Sequence, residues 1–324
     1  MTAASPVARA TPHTDARPNA HAAGAPSAAN PLKKARQSAS AALRKVVNRV
    51  AFTATPAGMI PKVRRPEFDL AADTPMWWWD NDPFKTLLLA ALSSGFPPGE
   101  RFFIDSVRHY QSQITDPELQ KAIRGFIGQE AHHSREHEQL NGFLQERGIN
   151  LERLEKEIAD FMNVLRKMSP ERQLAHTVAV EHFTALMAEE FLLKFNALNE
   201  MDPRMAPIWA WHAVEESEHK AVAFDVYKAV GGSEFVRVTE MMAVSVLFPL
   251  FTTIHVVQLM KEAGELGNVK SWAKGLNYMW GTPGVFRKLL PAYLKFYAPS
   301  FHPWNHDARD LVETAKRKWL GDWA

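Results

Sequence analysis

The feature that most constrains this chain is a glutamate followed three residues later by a histidine, found twice. Of thirteen histidines, only His133 and His219 have a glutamate at that distance, in Glu130-Ala131-His132-His133 and Glu216-Ser217-Glu218-His219. On a helix, positions i and i+3 share a face, so carboxylate and imidazole can close on one ion. One such pair arises by chance roughly once in a chain of average composition. Order raises the signal. Each pair falls mid-way along a long helical stretch, and each stretch follows another with a glutamate on its apolar side. Glu100 lies beside Phe103, Ile104 and Val107, and Glu181 sits in the stripe Leu174, Thr177, Val178, Thr184, Ala185, Ala188. An unpaired carboxylate facing a core costs roughly several kcal/mol or takes up a proton, so a ligand role gives a physical reason for it.

Start and stop signals place the helices. Asp116-Pro117 reads as an N-cap with proline at the first helical position, opening a helix that Gly148 ends. Ser169-Pro170 and Asp202-Pro203 repeat the signal, predicting helices over about 170–199 and 203–230, with a shorter amphipathic one at 151–167. Gly231-Gly232 ends the fourth, and Ser233 can cap the next. Upstream, Phe96-Pro97-Pro98-Gly99 breaks the chain and starts a helix at 98–113. No alternating run argues for a sheet. The expectation is all-α: a four-helix bundle over 98–230, inside a globular region spanning 60–310, with additional C-terminal helices and a tail at 311–324.

Glu, Glu-x-x-His, Glu, Glu-x-x-His on four successive helices is the ligand set of ferritin-like di-iron and di-manganese bundles. The expected ligands are therefore Glu100, Glu130, His133, Glu181, Glu216 and His219. Four carboxylates offset two divalent cations, and two imidazoles complete a site suited to iron first, with manganese as the alternative. Gln129 and Glu215 precede the two metal-binding glutamates symmetrically, as partners for the opposite histidine. His137, one turn beyond His133, could be a third nitrogen ligand or a proton shuttle, although for Gln129, Glu215 and His137 alike an ordinary exposed or core-satisfied role is the favoured reading. His132, His182 and His212 are expected not to face the ions.

These residues also carry a resemblance. Segments 96–103 (FPPGERFF), 129–137 (QEAHHSREH), 181–185 (EHFTA) and 211–227 (WHAVEESEHKAVAFDVY), with Phe301-His302-Pro303-Trp304, resemble the bacterial family of predicted metal-dependent hydrolases. The resemblance implies a ferritin-like metal-binding bundle with the glutamates and histidines above as ligands.

The rest of the chain bounds partners and place. Residues 1–66 hold eleven Lys/Arg against one acid, Asp15, a net +10; the total of +2 leaves −8 on the remainder. Residues 1–31 lack large apolar side chains and are expected to be disordered, within an arm at 1–59. A short amphipathic helix at 32–52 could touch an anionic surface, although the solvated reading is favoured. No cysteine is present, which removes disulfides, thiolate metal sites and Cys nucleophiles. With no secretory signal recognised, the expectation is cytoplasmic. Residues 241–260 lack charge and could span a bilayer. Pro249, His255, Gln258 and the lysines that follow favour a helix at 234–262 buried on the bundle, or dipping into a membrane or a partner copy. Trp77-Trp78-Trp79 and the aromatics of 272–304 read either as a tunnel or lipid interface, or as core. The expected substrate is a small apolar molecule, with peripheral membrane contact and self-association open and no nucleic acid. For the chemistry, O2-dependent oxidation is favoured, hydrolysis by an activated water is the alternative, and metal storage is the third reading.

Overall fold

The computed structural model describes residues 55–56, 59–195 and 197–323. The helix expected at 32–52 and nearly all of the arm at 1–59 lie outside the described residues. The described residues form ten α-helices and no strand, so the all-α expectation holds. They are α1 (Pro83–Gln111), α2 (Pro117–Glu146), α3 (Glu152–Leu165), α4 (Pro170–Leu186), α5 (Ala206–His219), α6 (Val222–Ala229), α7 (Glu234–Glu262), α8 (Val269–Trp280), α9 (Val285–Leu294) and α10 (Arg309–Ala315).

The caps act largely as the sequence suggests. Asp116 accepts the backbone N–H groups of Glu118 and Leu119, and Ser169 accepts that of Arg172. Ser233 holds the N-cap position of α7 without a capping bond. Three expectations are corrected. The helix expected to begin at 98 begins at Pro83 and runs through Pro97-Pro98. Proline at 97 frees the Ser93 carbonyl, and Asn141 Nδ2 on α2 donates to it at 3.1 Å. The break that proline normally causes is thus satisfied from a neighbouring helix. The helix expected over 170–199 passes at Leu186 into a π-helical stretch, Met187–Lys194. The helix expected over 203–230 starts at Ala206 and is interrupted at Lys220–Ala221, directly after His219. There Lys220 Nζ donates to Glu189 Oε1 at 2.6 Å and to the His306 carbonyl at 2.7 Å.

Two apolar layers fix the direction of each bundle helix. α1 leads from a layer holding Leu87 and Leu88 to one holding Phe102 and Val107. α2 runs back, from Leu119 and Phe126 in the second layer to Leu140 and Leu144 in the first. α4 also runs from the second layer (Leu174, Val178) to the first (Leu186), and α5–α6 returns from Trp209 to Phe224. α3 crosses between them, from Leu154 to Met162. The order is therefore up, down, crossover, down, up, a bundle with one long connection. Glu100, Glu130, Glu181 and Glu216 all fall between the two layers. α7 packs on α4 and α1, and α8 on α1 and α9. Residues 311–324, expected as a tail, are helical to 323 and pack through Val312, Ala315 and Leu320 on Trp211 and Val214.

Candidate metal centre

The mid-bundle belt brings the six expected ligands into overlapping groups. Glu130, Glu181 and His219 present atoms within 4.8 Å of one another, as do Glu130, His133 and Glu216. A third group adds Glu100 and His133 to His212. His219 Nε2 lies 3.1 Å from Glu130 Oε1, 3.3 Å from Glu181 Oε2 and 3.5 Å from Glu216 Oε1. Glu130 and His133 each belong to two groups, so the groups form one continuous centre. All seven residues are buried.

The partners behind each histidine set which nitrogen faces inward. Gln129 Oε1 lies 3.0 Å from His219 Nδ1, leaving Nε2 for the centre. Glu215 Oε2 lies 3.1 Å from His133 Nε2, leaving Nδ1, 3.6 Å from Glu216 Oε1. Gln129 and Glu215 thus each face the histidine of the opposite helix; the Gln129 hydrogen bond fixes the His219 tautomer, whereas Glu215 approaches His133 without a hydrogen bond.

His212 changes the picture drawn from the sequence. It does face the centre: its Nε2 is 3.3 Å from Glu216 Oε1, and it stacks on His133 with ring centroids 4.3 Å apart. Ser93 Oγ donates to Asn141 Oδ1 at 2.5 Å, so it accepts from His137 Nδ1 at 2.8 Å. His137 Nε2 then accepts from His212 Nδ1 at 2.8 Å, leaving the His212 Nε2 lone pair aimed at the centre. Both His137 nitrogens are taken, which places it behind His212 rather than on an ion. The signal in the sequence was that His212 is four residues before Glu216 and shares its face. His182 packs on Phe296 and Phe301, where burial pushes its imidazole down to about 3.

Arg64 was invisible to motif reasoning, counted among the charges of the basic arm. It is buried, with Nη1 and Nη2 donating to Glu218 at 2.7 and 2.8 Å and Nη1 reaching Glu215 at 3.2 Å. Its Nε donates to the Trp323 carbonyl at 2.8 Å, so the C-terminal segment closes over it. Gly125 and Gly128 make this placement possible. A side chain at either would meet Pro61 or Val63, so the extended segment before Arg64 lies directly on α2. The Phe301-His302-Pro303-Trp304 motif is a clasp: His302 Nε2 meets Asp225 Oδ1 at 2.9 Å, and Trp304 lies under Lys220 Nζ at 4.4 Å.

The donor set fits a cation. Both oxygens of Glu130 and of Glu181, Glu100 Oε1, Glu215 Oε2, Glu216 Oε2, both nitrogens of His133 and His219 Nε2 are buried without hydrogen-bond partners. Buried polar atoms are ordinarily satisfied, and this many orphans in one place call for an ion. Titration points the same way. Burial, with the charge of Glu216 next, holds the Glu100 carboxyl well above its usual range; burial and Glu181 do the same to Glu130. Burial raises Glu181 to about 7 and Glu215 to about 8. Burial opposes the charge on His219, but Glu216 and Glu181 outweigh it and lift the imidazole well above normal. A divalent cation would relieve this crowding, because it favours the deprotonated form of every donor.

Two cavities lie among the helices, and none of the centre's own residues lines either. One of about 100 Å³ is lined by Phe96, Gly99, Phe103, Val180 and Thr184, the neighbours of Glu100 and Glu181. The other, about 500 Å³, lies among α1, α4, α7, α8 and α9, and Leu92, Phe248 and Thr252 line both. Trp272, Trp280 and Tyr293 line the larger one, whereas Trp78 and Trp79 are core.

An antiparallel helical bundle with a buried belt of glutamate and histidine from four helices defines a metal-binding bundle protein. A family model described as predicted metal-dependent hydrolase matches residues 62–307, and the chain belongs to that family. The match takes in Arg64 and the clasp as well as the belt. No curated protein and no solved structure matches the chain.

Proposed function

We propose that this protein is a dinuclear-metal hydrolase acting on an apolar substrate. Its ligands are Glu100, Glu130, His133, Glu181, Glu216 and His219, with His212 as a seventh. The observation that carries the reading is the cluster of orphaned carboxylate and imidazole atoms between two apolar layers. When bound, a pair of divalent cations, iron or manganese, supplies Lewis acidity and a water acidic enough to attack near neutral pH. The chain's residues do the rest. Glu130 and His133, each shared by two ligand groups, would contribute to holding more than one ion. Gln129 and the His137–Ser93 pair hold the His219 and His212 imidazoles in one orientation, and Arg64 pairs with Glu215, which stands behind His133, and with Glu218. The apolar walls exclude bulk water and take an aliphatic or aromatic group.

The family's description favours hydrolysis. One observation favours O2-dependent oxidation instead: the cavity walls beside Glu100 and Glu181 are almost wholly apolar, which suits attack on an unactivated C–H bond.

Metal content by mass spectrometry tests the centre. About two ions per chain are expected, and Glu130→Ala with His219→Ala should abolish binding; full occupancy in that variant would refute the ligand set. Medium-chain acyl esters of nitrophenol, assayed with metal-loaded protein under nitrogen and under air, test the chemistry. Cleavage indifferent to air supports the hydrolase. Substrate-dependent O2 uptake without ester cleavage would replace it with the oxidative reading.

A further inference from the structure

α7 carries two apolar faces. One, with Val244, Phe248, Phe251 and Val256, lines the cavities or joins the core. The other is exposed: Phe235, Met242, Val246, Leu250, Ile254 and Val257 recur at spacings of seven, four, four, four and three, a single stripe. Among the described residues α7 is the one helix long and apolar enough to cross a bilayer, yet its inner face is committed to α4 and α1. Leu276 and Trp280 on α8, with Leu290 and Leu294 on α9, are also exposed, Trp280 by 60%. A surface of this extent is uncommon on a monomeric soluble protein.

The cavity opens on that surface. Pro249, Thr253, Leu276, Trp280 and Leu290 line the 500 Å³ cavity and are exposed at the same time. Charge selects the occupant. Residues 261–295 hold six basic side chains against two acidic ones, Glu262 and Glu265. Lys274 pairs with Asp80, and the remaining five (Lys261, Lys270, Arg287, Lys288 and Lys295) are exposed around the apolar face. A second copy would bring the same positive charge against itself and seal the mouth. A bilayer with anionic headgroups neutralises the charge, accepts the apolar side chains and leaves the mouth facing its acyl layer.

We propose that the α7–α9 face docks on an anionic lipid surface, and that the cavity takes its substrate from the lipid phase. The docking stands on this surface alone, whereas the entry route rests on the reading of the cavity as the substrate's room. The test is flotation of the full chain with phosphatidylcholine vesicles, with and without phosphatidylglycerol. The chain should float with the anionic vesicles. Lys288→Gln with Lys295→Gln should weaken binding roughly thirtyfold, about fivefold for each cation removed. Val246→Glu with Leu250→Glu should leave the chain in the soluble fraction, with melting transition and metal content unchanged, which separates loss of docking from misfolding.

Three results would overturn docking: no flotation of the native chain; undiminished flotation of the glutamate variant, which would assign binding to the basic N-terminal segment; or a dimer in sedimentation velocity that Leu250→Glu dissolves. A native chain that floats but binds no metal would sink the metal centre and leave docking standing. Entry from the lipid phase predicts that Trp280→Arg slows turnover of a bilayer-dissolved acyl ester more than that of a short soluble one; equal slowing would refute it.

Discussion

Replacing Glu130 by leucine should move the metal-free and metal-loaded proteins in opposite directions. Glu130 is fully buried and neither of its oxygens has a hydrogen-bond partner. Burial and the adjacent Glu181 push its carboxyl well above the normal range, so the metal-free fold holds either an unsatisfied acid or a repelled charge. Such a group costs about 1–3 kcal/mol. Leucine removes that cost at similar volume, and His219 keeps Glu181 at 3.3 Å and Glu216 at 3.5 Å, so no new charge is stranded. The metal-free variant should therefore be more stable by about 1–3 kcal/mol, a rise in melting temperature of roughly 3–10 °C for a domain of this size. With metal the order reverses. Free metal at about a hundred times its dissociation constant stabilises a binding fold by about 2.7 kcal/mol, and the variant forgoes this. Calorimetry in chelator and in excess manganese(II) measures both arms. If the metal-free variant melts several degrees lower and still gains the native increment from manganese, Glu130 is a structural acid rather than a ligand.

Arg64→Met strips Glu218 of two hydrogen bonds and Glu215 of its cation. Metal affinity should fall about 10–100-fold, measured by competition with a chelator, and the fold should lose about 3–5 kcal/mol. Ser93→Ala removes the group that fixes the His137 and His212 tautomers; affinity should drop about tenfold, and an unchanged value would place His212 off the metal. The metal-free protein should lose stability as pH rises from about 6.5 to 8.5. Glu181 and Glu215, raised to about 7 and 8, keep protons in the fold that the unfolded chain has already released, so each further rise in pH favours unfolding. Buried His133 and His137, held well below their ordinary range, act oppositely, but only below about pH 6.5 where the unfolded imidazoles titrate. Urea titrations in chelator at the two ends of the window should differ by on the order of 1–3 kcal/mol, and a flat or rising profile would contradict this charge state.

The all-α class, most helix starts and the pairing of Glu130 with His133 and of Glu216 with His219 were legible because each is local. Caps, proline at the first turn and i, i+3 geometry act within a few residues and leave their mark in the order of letters. The proline pair at 97–98 misled because the group that rescues the Ser93 carbonyl, Asn141, is 48 residues away. Arg64 carries no motif and is 151 residues from Glu215. His212 needed the direction of α5 to be known before its ring could be aimed. What the amino-acid order determined by itself was a set of amphipathic helices with carboxylates and imidazoles at their midpoints, since helical periodicity is a short-range property. Which nitrogen faces the centre, which arginine stands behind it and which apolar face of α7 is left to solvent were decided only by the packed chain. Those outcomes depend on desolvation and charge between residues far apart in sequence, and such energies exist only once the helices meet.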